Sequence, residues 1–69
     1  MRMTSIQLNG MAHELAEPIS IAALLDANGY AGRAVAVEIN REIVPKSMHA
    51  RQFVRDGDQV EVVHAIGGG

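Results

Sequence analysis

Chemistry in this sequence is concentrated at its end, in Gly67-Gly68-Gly69. Consecutive glycines have no side chains to pack and the greatest backbone freedom, so residues 67–69 are expected to form a flexible tail that becomes ordered only when a partner binds it. Glycine also lets an extended chain enter a narrow slot. The stretch from Ile66 to Gly69 can span roughly 13 Å at ~3.3 to 3.6 Å per residue, enough to deliver a carboxylate into another protein's active site. A carboxylate resists nucleophiles, but activation by ATP gives an acyl-adenylate, and a sulfur nucleophile that displaces AMP leaves a thiocarboxylate. Gly69 has no side chain to shield its carbonyl or attack it. A glycine-rich end is equally what a frayed terminus or a linker scar looks like, and the glycines alone do not decide between these readings.

The other reactive residue types form no comparable pattern. His13, His49 and His64 are separated by 35 and 14 residues and show no metal-binding spacing, so surface or partly buried histidines are expected and no metal is assigned. Glu14 with Glu17, and Asp56 with Asp58, could pair as acid and base. They fall in or beside loops of a domain with no evident cleft, so solvated turns explain them better. There is no Ser-His-Asp arrangement, and Gly67 to Gly69 precede no helix whose N-terminus could hold phosphate. The four methionines read as packing residues. Val63 points away from the expected core and Ile66 lies beside the tail, which makes both candidates for a partner interface, with a satellite patch of the core as the alternative.

The elements that would position the tail can be read along the chain. Ile6 and Leu8 alternate with Gln7 and run into Asn9-Gly10, a hairpin signal because both turn positions need positive φ. A second strand, Met11 to Leu15, breaks at Pro18. Ser20 is placed to cap a helix from Ile21, with Ile21, Leu24 and Leu25 on one face and Gly29 as its stop. Val35, Val37 and Ile39 alternate as a strand, Asn40-Arg41 turns into Glu42–Val44, and Pro45 ends that strand. Ser47 is expected to cap a brief helical turn through Met48 to Arg51. Asp56-Gly57-Asp58 makes a turn into a last strand from Gln59 to about Ala65, with Val60, Val62 and His64 on one face and Glu61 and Val63 on the other. The order ββαββ, short helix, β is closed most simply by a mixed sheet of about five strands packed on one main helix, an α+β fold. The last strand should lie parallel to the first.

Composition limits what such a domain can do. Sixty-nine residues hold one core and leave no room for a deep substrate cleft beside it, so the chain is expected not to be an enzyme. With 48% apolar and 20% charged residues it should fold, and without cysteine its stability must come from packing. The formal charge of −2 and scattered basic residues argue against nucleic acid. No apolar run approaches the ~20 residues of a membrane span, and no signal-peptide core follows Arg2, so a cytoplasmic protein, monomeric when free, is expected.

The stretch Asp56-Gly57-Asp58-Gln59-Val60-Glu61-Val62-Val63-His64-Ala65-Ile66-Gly67-Gly68-Gly69 resembles the ThiS family of thiamine-pathway sulfur carriers. Members share the DGD turn, a V-E strand, a terminal Gly-Gly and an early N-G hairpin like Asn9-Gly10. Leu24-Leu25 and Asn40 to Pro45 are also similar, so the resemblance covers about residues 4–69. It implies a ubiquitin-like β-grasp domain over residues 1–66 with a tail at 67–69. It also implies that Gly69 is adenylated by an E1-like adenylyltransferase that uses ATP, receives sulfur from a sulfur-donor enzyme and passes it to thiazole synthase. On that reading Gly67 and Gly68 let the tail enter partner sites and no cofactor is bound. Gly67 departs from many members by adding a third glycine, which lengthens the tail and leaves the matched pair intact. Alternatives are the small subunit of molybdopterin synthase, with the same tail chemistry, and a ubiquitin-like protein modifier. Lys46 as the only lysine gives a modifier chain one internal attachment point, which favours the carrier.

Overall fold

A computed structural model describes residues 3–64 of the chain. The elements run β1 (Thr4–Leu8), β2 (Met11–Leu15), α1 (Ile21–Ala27), β3 (Val35–Ile39), β4 (Glu42–Val44), a 3-10 helix (Lys46–Met48) and β5 (Gln59–His64). The strands form one mixed sheet in the order β2-β1-β5-β3-β4. β5 lies parallel to β1, as a strand returning after a crossover should, and antiparallel to β3. This is the expected β-grasp order, and it puts β5 at the centre of the sheet.

Burial alternates along the central strands because successive side chains face opposite sides of a sheet. Thr4, Ile6 and Leu8 of β1 are buried, and so are Val60 and Val62 of β5. They meet Val37, Ile39 and Val44 from the sheet, Ile21, Leu24 and Leu25 from α1, and Val54 from the loop before β5. Fully burying a Leu or Val side chain stabilises by roughly 1.5–3 kcal/mol, so this one-sided cluster supplies the main favourable term of a chain without disulfides.

The helix is short, and both its ends are satisfied. The N–H groups of Ile21, Ala22 and Ala23, which precede the first helical bond, go to Gln52 O, His49 O and Ser20 Oγ, and Leu24 N–H opens the helical ladder at Ser20 O. Ser20 thus caps α1 as expected, and the loop after β4 finishes the job. At the other end Gly29 takes φ +82°, Gly29 N–H donates to Asp26 O and Tyr30 N–H donates to Leu25 O. These two bonds are a Schellman stop, and they require the left-handed backbone that glycine adopts most easily.

The helical turn expected from Met48 to Arg51 with Ser47 as its cap is corrected. It starts two residues earlier, at Lys46 after an N-cap at Pro45, as a 3-10 helix, and no side chain caps it. Pro45 holds φ −58° and its carbonyl accepts from Met48 N–H at 2.9 Å, so the proline that ends β4 also starts the turn. The last strand agrees from Gln59 to His64, and Ala65 lies outside the described residues.

Candidate functional site

The site is the end of β5, where the chain continues into residues 65–69. Those residues include Ile66, Gly67, Gly68 and Gly69, so the tail assignments and half of the expected interface lie outside the described residues. Val63 is described. It pairs with Ala36 on the sheet face away from α1 and is 50% exposed, the orientation its spacing predicts. On the same face Glu38 and Glu61 stand directly opposite each other, bracketed by Ile43 across from Glu38.

Two asparagines hold β5 at its two ends. Asn9 and Asn40 both have φ 51°, each as the first residue of a two-residue hairpin loop. Asparagine tolerates that left-handed backbone and has a short amide that can imitate a peptide group. Asn40 Oδ1 accepts from Gln59 N–H at 2.9 Å, where β5 begins. Asn9 Oδ1 accepts from Val62 N–H at 2.7 Å, near where β5 ends. Asn9 Nδ2 also reaches Tyr30 Oη at 3.4 Å, and the Tyr30 ring is 5.8 Å from the His64 ring.

The paired aspartates have a structural role that their sequence reading as solvated turns missed. Asp56 Oδ1 accepts from Ser5 N–H at 2.7 Å, and Asp58 Oδ2 accepts from Arg55 N–H at 2.8 Å. Asp58 Oδ1 accepts from Asn40 Nδ2 at 3.0 Å. The carboxylates therefore bind backbone N–H groups and an amide, the arrangement that makes Asp a turn former. His13 is half-buried and His64 exposed. His49 is more deeply placed than expected, at 8% exposure, with Nε2 3.1 Å from Val44 O. Among the described residues no three of His, Cys, Asp and Glu converge as metal ligands. Nor is any helix among them long and apolar enough to cross a membrane.

The arrangement is a platform whose central strand is tied at both ends by asparagine side chains and continues in the chain to Gly69. The residues bracing the strand were not singled out, because Asn9 and Tyr30 meet β5 only through contacts distant in the chain.

Known proteins agree with this geometry. The crystal structure of a thiamine biosynthesis protein (ThiS) from Geobacter metallireducens superposes with a TM-score of 0.84 at 32% identity, covering 96% of this chain and 100% of that one. The protein named sulfur carrier protein ThiS in Escherichia coli K12 is 33% identical over 64 residues, 93% of this chain and 97% of that protein. A thiazole synthase of Paramagnetospirillum magneticum is 47% identical over 62 residues, which are 90% of this chain and 19% of that protein. The present chain thus spans about a fifth of that relative's length. The ThiS family model matches residues 6–69, from within β1 through the glycines, and the chain belongs to the ThiS family.

Proposed function

We propose that this chain is the sulfur carrier of thiazole formation in thiamine biosynthesis and that sulfur rides on it as a thiocarboxylate at Gly69. The observation that carries the reading is the family match that runs through Gly69, joined to a fold that superposes on a thiamine biosynthesis protein along nearly its whole length. The chain is a carrier and not an enzyme. Its carboxylate attacks the α-phosphate of ATP, pyrophosphate leaves, and an acyl-adenylate forms. A hydrosulfide equivalent then adds to that carbonyl, AMP departs with the bonding pair, and the thiocarboxylate remains.

A domain of this size leaves little room for a nucleotide site beside its core, which supports assigning the activation to a separate E1-like adenylyltransferase and the sulfur to a separate donor enzyme. Thiazole synthase is the acceptor this reading favours, because proteins of that name contain a stretch similar to this chain. Gly67 and Gly68 allow a narrow channel to close around the tail, and Val63 with Ile66 would contact the partner beside it. The free protein acts as a monomer in the cytosol, with no bound cofactor. Intact mass after incubation with an adenylyltransferase, ATP and a sulfur donor tests the reading. Exchange of one oxygen for sulfur at Gly69 is expected. An adduct on a target lysine, or no change with an enzyme shown to be active, would overturn it.

A further inference from the structure

The ladder between β1 and β5 is short. It pairs Gln7 with Gln59 and Leu8 with Val60, and Asn9 N–H donates to Val60 O at 2.9 Å. Beyond this point β1 has turned away into Asn9-Gly10, so on that side the Val62 N–H has no strand residue to meet. The Asn9 side chain takes the place of the missing residue, with Oδ1 accepting the Val62 N–H at 2.7 Å. Its Nδ2 reaches Tyr30 Oη at 3.4 Å, and the Tyr30 ring leans on His64 at 5.8 Å and 53°. On the other side the ladder with β3 continues to Val35 opposite His64. The end of β5 is therefore held by backbone on one flank and by one side chain on the other.

We propose that Asn9 is a positioning residue for the carrier reaction: with Tyr30 and His64 it forms a clasp that fixes the direction in which the chain leaves β5 towards Gly69. The proposal rests on the carrier reading. A turn needs only a residue that accepts positive φ, and glycine would serve as well. Asparagine adds an acceptor two residues before the end of β5. A tail that orders only in a partner's slot reaches its reacting position from wherever the strand end delivers it, and reacting atoms must be aligned.

Two variants test this. Asn9→Gly keeps the turn and removes the clasp. Asn9→Asp keeps an acceptor for Val62 N–H and offers a second oxygen to the Tyr30 hydroxyl. In the free protein, Asn9→Gly should speed hydrogen exchange at the Val62 amide about tenfold, with Val60 and Val37 unchanged and Asn9→Asp close to the parent. In turnover with the adenylyltransferase, ATP and a sulfur donor, Asn9→Gly should lower kcat about tenfold at constant KM, and Asn9→Asp should restore it. Parental exchange and kcat in Asn9→Gly would overturn the proposal. So would a loss confined to KM, or one accompanied by faster exchange at Val60 and Val37, since Asn9 would then serve docking or the fold alone. If the parent itself were never converted, the carrier reading would fail and the positioning role with it. The exchange result, which needs no enzyme, separates that failure from failure of the clasp.

Discussion

Arg41 adopts φ 70° after Asn40 at φ 51°, so the β3–β4 hairpin makes its tight turn with a bulky residue where glycine is the usual choice. A side chain in the left-handed region costs roughly 1–2 kcal/mol, and glycine gives part of that back through the freedom of the unfolded chain. Arg41→Gly should therefore stabilise the protein by about 0.5–1 kcal/mol, read as a higher midpoint in urea at unchanged slope. Leu24 is 1% exposed in the centre of the core, and Leu24→Ala should cost about 2–5 kcal/mol in the same measurement. A change near zero would mean that the helix face is assigned wrongly. Leu24 was legible because helical spacing reports burial directly. Asn9 was legible only as a turn residue, since nothing local announces that its amide meets Val62, 53 positions away.

The elements were readable wherever one local rule governs them. Ser20 and Gly29 bound α1 as their chemistry requires, and alternation fixed the strands. The 3-10 helix was misplaced because two starting signals compete there. Ser47 offers a side chain, but Pro45 offers a preset φ and a free carbonyl, and the proline prevails. The DGD turn was legible as a turn and not as a junction. There Asp58 accepts from Arg55 N–H and Asn40 Nδ2 while Gly57 N–H donates to Ser5 O, so one short loop ties β1, the β3–β4 turn and β5 together. Asp58→Ala should cost about 1–2 kcal/mol, because it removes two exposed hydrogen bonds to a charged acceptor whose donors water then takes up. Asp58→Asn, which retains one acceptor oxygen, should lose less. Equal losses for the two in thermal unfolding would contradict this account of the junction.

At the scale of the molecule the sheet holds β5 at its centre, and the chain continues from that strand to the glycines. The fold was legible from element order. The tail's chemistry rests on residue type and family resemblance, since residues 65–69 lie outside the described residues. Purified alone with ATP, the chain should form no adenylate, and release of pyrophosphate in the absence of the adenylyltransferase would contradict the division of labour proposed for it. The most direct test of Gly69 as the working group is addition of a single alanine after it. The extra residue moves the free carboxylate and puts a Cβ into a slot shaped for glycine, while folding should change by less than ~0.5 kcal/mol. A displacement of about 1 Å can lower a rate ~100-fold when reacting atoms must align. Single-turnover yields of adenylate and thiocarboxylate for parent and extended proteins, with thermal unfolding as the control, should therefore show abolished conversion at unchanged stability. Conversion of the extended protein at the parental rate, with its added alanine still in place, would contradict the account.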